Sequence, residues 1–502
     1  MDILHNLLIG FSVALTFQNL LFALLGSILG TLIGVLPGIG PVAGCAMLIP
    51  LTFQIPPAGA IIMLTALFYG TQYGGTITSV LLNVPGEAAS AITCLDGYEM
   101  TKQGRAGSAL AMAAIGSFVG GTFATIVLVL AAGPLSRVAL QFGPVEFFAL
   151  IMLGLSLLMG LAGKSMIKAL MMGMVGLLLA MIGMDPVQGA PRFIFGQMEF
   201  MDGIAFVPVI MGLFGLSEIL ANAEKPFTEV VISKIGSLIP SRKDFEHSAG
   251  PMLRGSIIGT LLGLIPGMTN SATSFLSYIA EKKVSKYPER FGTGMIEGVV
   301  GPETSNNAHA NGALIPLFTL GIPASPTVAV IMGAFLMHGL IPGPLLFKEH
   351  PDVVWGVIAS FYVGNVILLI LNLPLIGIWI KILKIPYGIL FGIIMAFIVV
   401  GAYSVNNTVF DVMIMTLFGL IGYLLRKLDF PLAPVVLTLI LGPMMEQALR
   451  QSLEMSRGSF GIFLESPIAV VLLVLTALIL IAPVFKVFRR GKHFIAGDEE
   501  GV

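Results

Sequence analysis

Three groups of polar residues stand out because their surroundings are apolar. "GTQYGGTITS", Gly70–Ser79, carries Thr71, Gln72, Tyr73, Thr76, Thr78 and Ser79 around Gly74-Gly75. "MTNSATS", Met268–Ser274, carries Thr269, Asn270, Ser271, Thr273 and Ser274. "GPETSNNAHANG", Gly301–Gly312, carries Glu303, Asn306, Asn307, His309 and Asn311. Hydroxyls and carboxamides offer donors that suit carboxylate oxygens. Amide oxygens and freed carbonyls suit a small cation. Glu87 and Glu303 add carboxyls for a cation or a proton, although a Glu after Pro302 is also an ordinary helix-start residue. A lone Ser or Thr in an apolar helix often bonds only its own backbone, so the clusters carry the argument. No H-E-x-x-H, P-loop, G-x-S-x-G or metal-spaced Cys/His set is present. The expectation is therefore neither an enzyme nor an ATPase. Cys45 and Cys94 read as small packing residues, and a net charge of −1 gives no reason to expect nucleic acid.

Two interruptions would position these groups. "LIGVLPGIGPVAG", Leu32–Gly44, and "LLGLIPGMTNSATS", Leu261–Ser274, each break an apolar run with Pro-Gly. In hydrocarbon every backbone N–H and C=O must be paired, so such a break persists only where protein, water or a ligand satisfies it. An exposed helix N-terminus offers free N–H donors and partial positive charge to a carboxylate, and exposed C-terminal carbonyls suit Na⁺. The breaks at Pro37 and Pro266 are thus expected to make helix ends that face each other near the membrane midplane. Asn83–Gly107 stops at Pro85-Gly86 and is too short for two crossings, which points to a re-entrant hairpin.

The whole chain fits that setting. Of 502 residues 56% are hydrophobic and 11% charged, and the mean hydropathy is +0.97. Apolar runs fall at Leu20–Leu36, Ala109–Ala132, Phe147–Leu161, Ile167–Ile182, Ile204–Ala221, Val354–Leu373, Ile389–Ala402, Val409–Leu425 and Ile468–Val484. With the broken segments they predict an all-α polytopic membrane protein of about 12 transmembrane segments. The N-terminal "MDILHNLLIGF" lacks the marks of a signal peptide. The basic "KVFRRGKHF", Lys486–Phe494, is expected in the cytoplasm, which puts Gln447–Phe463 outside and Arg426-Lys427 inside. Pro37 and Pro266 lie 229 positions apart, and Pro85 and Pro323 lie 238 apart. Two motifs in one order at nearly one separation predict two related repeats, inverted in the membrane. The offsets differ by nine, which predicts an insertion in the second half that includes the polar run over 280–298. The expected division is a first half over 1–223, a cytoplasmic linker over 224–250, a second half over 251–430, and C-terminal helices with the basic tail over 431–502.

"GVLPGIGPVAGCAMLIPLTF", "YGGTITSVLLNVPGEAASAITCLDGYEMTKQGRAGSAL", "GLIPGMTNSATS", "GIPASP" and "LTLILGPMMEQALRQSL" together resemble the large membrane subunit of tripartite tricarboxylate transporters, the TctA family. Met268-Thr269 and Ala324 stand where many relatives carry glycine. The resemblance implies import of a tricarboxylate such as citrate, or a related organic acid, across the bacterial inner membrane. It implies a periplasmic solute-binding protein (TctC-like), a small four-helix membrane subunit (TctB-like), Na⁺ or H⁺ coupling without other cofactors, and an elevator-like movement. A homodimer is also expected. With the motifs it places substrate at Pro37, Gly38, Gly40, Asn83, Pro85, Gly86, Gly267, Thr269, Asn270, Ser271, Asn306, Asn307 and Pro323. Coupling cations fall to Gly74, Thr76, Glu87, Glu303 and Thr319. An anion channel is the alternative, but its pore would need polar rings along several helices.

Overall fold

The apolar runs become helices because a helix bonds its own backbone, which an apolar environment demands. The computed structural model describes residues 3–36, 39–161, 165–185, 188–224, 235–383 and 387–496. The chain packs as two units, residues 1–139 with 205–424, and residues 140–204 with 425–502.

The larger unit begins with α1 (Ile3–Ala14), α2 (Phe17–Val35), α3 (Pro41–Thr52), α4 (Pro57–Leu82), a 3₁₀ turn at Ala88–Ala91, α5 (Thr93–Lys102) and α6 (Ala106–Ala139). It resumes with α9 (Phe206–Ile210), which runs through a π turn into α10 (Ser217–Ala223). Next come α11 (Arg242–Gly263), α12 (Asn270–Val284), α13 (Glu297–Gly312), α14 (Leu314–Leu320) and α15 (Pro326–Met337). It closes with α16 (Leu346–Glu349), α17 (Pro351–Asn372), α18 (Ile376–Ile382), α19 (Tyr387–Asn406) and α20 (Val409–Lys427). The smaller unit holds α7 (Pro144–Leu161), α8 (Met166–Ala180), α21 (Ala433–Met455), α22 (Ile462–Glu465) and α23 (Pro467–Ala496). A two-stranded ribbon, β1 (Gly183–Met184) with β2 (Pro191–Arg192), is the departure from an all-α fold among the described residues.

Every apolar run named above falls on a helix. Among the described residues, five helical stretches are long and apolar enough to cross a membrane: Phe17–Val35, Ala106–Leu135, Phe206–Ala223, Pro351–Asn372 and Val409–Lys427. The polar linker is only partly described, since 225–234 lie outside the described residues. Its end, from the Ser241–Asp244 capping box onward, is the first turns of α11.

Glycine sets two matching close crossings. A Cβ on Gly26, Gly30 or Gly34 of α2 would lie 2.2–2.3 Å from the carbonyl oxygens of Met63, Leu67 and Thr71 on α4. A Cβ on Gly255, Gly259 or Gly263 of α11 would lie 2.3–2.7 Å from those of Gly301, Ser305 and His309 on α13. Each α2 glycine is 229 positions from its α11 counterpart, and each α4 carbonyl is 238 from its α13 counterpart. These are the two offsets read from the proline motifs. Such close approach leaves no room for side chains on the facing strips. It makes α4 and α13 the innermost helices, buried over nearly their whole length.

Candidate functional site

A helix buried on all sides cannot turn its polar residues to water, so α4 and α13 must satisfy theirs with each other and with their neighbours. Glu303 accepts from Thr76 Oγ1 at 2.6 Å on Oε2 and from Thr93 Oγ1 at 2.5 Å on Oε1. One turn along α13, Asn306 Nδ2 donates to Glu87 Oε1 at 2.9 Å. Asn306 Oδ1 accepts from Asn270 Nδ2 at 3.0 Å, and the same amide reaches Gln72 Oε1 at 3.4 Å. A further turn along, His309 Nδ1 bonds Thr273 Oγ1 at 2.8 Å, while its Nε2 is buried without a partner. Residues from α4, the 83–93 turn, α12 and α13 thus form one continuous polar seam.

The second break is built to expose the start of α12. Gly267 adopts φ 87°, a left-handed conformation that glycine tolerates, and its N–H donates to Ala324 O at 2.9 Å. Thr269 caps α12 by accepting from Ala272 N. The break therefore packs against the Pro323 motif of its own half. The first half does likewise: a Cβ on Gly86 would lie 2.1 Å from Gly34 O at the end of α2. Pro37 and Gly38 lie outside the described residues. Beyond them Gly40 opens α3, with nothing within 4 Å of its Cβ position.

The seam gathers Asn270 and Asn306 of the expected substrate group, and Thr76, Glu87 and Glu303 of the expected cation group. Others stand apart. The Asn307 amide bonds Glu303 O within its own helix, and Thr319 Oγ1 bonds Ile315 O. Asn83 is the exposed left-handed cap of α4, and Pro85 beside it is exposed. Gly74 serves the α2 crossing, packed on Thr31 O. "GTQYGGTITS" lies inside an unbroken α4, since no proline follows Pro57 before Leu82. Ser271 is half-buried near the start of α12.

Three participants escaped the sequence reading. Thr93 follows a short 3₁₀ turn and is distant from α13 in sequence. Asn365 of α17 accepts from Tyr73 OH at 3.0 Å and donates to Phe118 O. Asp96 takes the N–H groups of Gly292, Gly294 and Met295 on Oδ1 and Tyr278 OH on Oδ2. It fastens α5 to the loop that launches α13. "CLDGYE" carried a weak signal, an acid next to glycine in a short, partly polar segment between apolar runs.

Comparison with known proteins completes the description. A family model described as "Tripartite tricarboxylate transporter TctA family" matches residues 20–437. The chain is 48% identical over 501 residues, 99% of its length and all of the relative's, to the "Uncharacterized 52.8 kDa protein in TAR-I ttuC′ 3′region" of Agrobacterium vitis. It is 46% identical over 242 residues, 48% of its length and all of the relative's, to the "Uncharacterized protein in TAR-II ttuC′ 3′region" of the same organism. No solved structure matches.

Proposed function

The chain belongs to the tripartite tricarboxylate transporter TctA family, and from that premise we propose that it is the large membrane subunit of a secondary, binding-protein-dependent carboxylate importer. That it is a multi-pass membrane component of a transporter follows from the family and the apolar helices. The rest is our reading. The substrate is a tricarboxylate such as citrate or a related organic acid. A periplasmic solute-binding protein delivers it, a small four-helix subunit accompanies the chain, and a homodimer works in the bacterial inner membrane with the C-terminus in the cytoplasm.

The observation that carries this reading is the seam through Gln72, Glu87, Asn270 and Asn306 at the exposed start of α12. Amide donors there can exchange a partner within the protein for a substrate carboxylate. A bare dianion in a low-dielectric site is prohibitively costly, so an accompanying cation is required. Thr76, Glu87 and Glu303 give its charge a place. The paired offsets of 229 and 238 at both glycine crossings support a chain of two repeats, which we take to be inverted and to make about 12 crossings. An elevator-like carrier built on such repeats would move the seam between the two sides of the membrane.

The test is uptake into proteoliposomes holding the chain with its small subunit, with binding protein loaded with radiolabelled citrate or another carboxylate outside. Saturable uptake that requires binding protein and an imposed Na⁺ or proton gradient is expected. Asn270→Ala should lower it by about tenfold, the scale of one lost hydrogen bond to a charged group. Flux that neither saturates nor needs a gradient would overturn the reading in favour of a channel.

A further inference from the structure

Glu303 is 1% exposed in the middle of α13. Its two carboxyl oxygens face only threonine hydroxyls, and among the described residues no Lys, Arg or His forms an ion pair with it. The titratable groups of the elements packed on α13 do not compensate it. From the turn between α4 and α5 comes Glu87, a second acid, and from the start of α5 comes Cys94. On α5, Asp96 is occupied by Tyr278 and three N–H groups. On α11 and α12, Arg254 is bonded bidentately to Glu281. On α4, Tyr73 is bonded to Asn365. On α13 itself, His309 is bonded to Thr273. Two buried acids without a basic partner cost several kcal/mol each as anions, so their charge must be cancelled.

A proton fits Glu303 better than Na⁺. A sodium site wants freed carbonyls, as at a helix break. Thr76 lies well inside α4, where the carbonyls are engaged, and Glu303 lies inside α13, which stays continuous through Pro302 with the loss of one helical N–H. Thr76, the partner of Glu303 Oε2, lines a cavity with room for about one water molecule. Tyr73, Thr76, Ser117, Asn372 and Ile376 line it, from α4, α6 and the α17–α18 junction. Thr76 belongs both to this cavity and to the carboxyl, and Ser117 Oγ donates to Glu303 O at 3.4 Å. Asn372 lines the cavity; its amide donates to Leu368 O, and its buried Oδ1 has no partner. An orphaned acceptor beside hydroxyls is what an ordered water satisfies.

We propose that Glu303 carries the coupling proton, that this cavity is its water access, and that the Thr76 hydroxyl relays the proton between them. A hydronium in the cavity gives its proton to Thr76 Oγ1. The hydrogen already on Oγ1 passes to Glu303 Oε2. Thr76 ends unchanged, water is left behind, and the carboxyl is neutral. Asn372 Oδ1 holds the water by accepting one of its hydrogens. The assignment rests on the carrier reading above, so its test has one arm that needs no substrate.

In that arm, infrared spectra of the purified full chain in nanodiscs are recorded against pH, and the carbonyl stretch of a protonated carboxyl is followed. One component of the titrating band should vanish in Glu303→Gln, the other carboxyls keeping theirs. In Thr76→Val, the growth of that component after a pH jump should slow by about tenfold, with Thr76→Ser restoring the rate. A band untouched by Glu303→Gln, or kinetics untouched by Thr76→Val, would overturn the proposal; thermal melts check that each variant is folded. In the second arm, pH-gradient-driven accumulation in proteoliposomes should fall by about 100-fold in Glu303→Gln, and any remaining exchange should no longer depend on pH. Accumulation driven equally by a pH gradient in that variant and in the parent chain would also overturn it. A parent chain that shows the titrating band yet moves no carboxylate would instead overturn the carrier reading and leave the proton site standing.

Discussion

Asn306 links the two halves of the seam, donating to Glu87 and accepting from Asn270. Leucine at this position would take the Asn306 donor from a buried carboxyl oxygen and leave the half-buried Asn270 amide only its longer contacts to Gln72 Oε1 and the backbone carbonyl of residue 306. Asn306→Leu should cost about 2–3 kcal/mol, read as a lower melting temperature of the purified protein, and should abolish uptake. Asp244, at the start of α11 and outside the apolar spans, makes a different case. Burial by itself would raise its carboxyl. Hydrogen bonds from Ser108 and Ser241, with the Arg105 guanidinium 2.7 Å away, outweigh that and hold it below its ordinary value. A group depressed in the folded state contributes stability above its unfolded value, about 3.9 for Asp, and that contribution is lost as pH falls through the folded value. Asp244→Asn should therefore lower the melting temperature at pH 7, and the difference from the parent chain should shrink on acidification.

At the scale of elements, α2 on α4 and α11 on α13 depend on glycines that sit directly over carbonyl oxygens. Leucine at Gly30 or Gly259 would put a side chain where a carbonyl oxygen already lies 2.3 Å from the Cβ position. Either substitution should prevent recovery of folded protein, as judged by size-exclusion chromatography in detergent. Gly40 is the contrast: nothing lies within 4 Å, and Gly40→Ala should fold normally. The breaks follow a related logic. Pro266-Gly267 ends α11 cleanly because Gly267 accepts a left-handed φ and Thr269 restarts the chain as a cap. Gly74-Gly75 does not end α4, because these glycines are used for close packing rather than for a turn.

Across the larger unit, the offset of 238 sets Thr65 opposite Glu303, Leu314 opposite Thr76 and Ser325 opposite Glu87. On the repeat reading, one of two equivalent positions is acidic and the other is not. Thr65 Oγ1 bonds Ile61 O in its own helix, as an ordinary membrane threonine does. Thr65→Ala should accordingly leave the pH dependence of uptake unchanged, while Glu303→Gln removes it. The smaller unit holds its own charges in a partly buried network. Arg450 pairs with both Asp185 and Glu446, and Arg192 with the same two acids. This network joins the 183–192 ribbon to α21.

The sequence by itself determined the membrane class, the nine apolar helices and the second break. Each of these follows from local chemistry: apolar length, proline geometry, a left-handed glycine and a capping hydroxyl. It also determined that Glu87, Glu303 and the paired asparagines lie where charge is expensive. Only the tertiary structure decided which of them meet. Asn306 faces the seam and Asn307 does not, because adjacent positions on a helix point about 100° apart. Thr93 and Asn372 became partners of the site through contacts between segments remote in sequence, which no periodicity or spacing encodes. Tertiary packing also made the polar seam necessary: α4 and α13 are enclosed on every side, so their polar groups had to find one another.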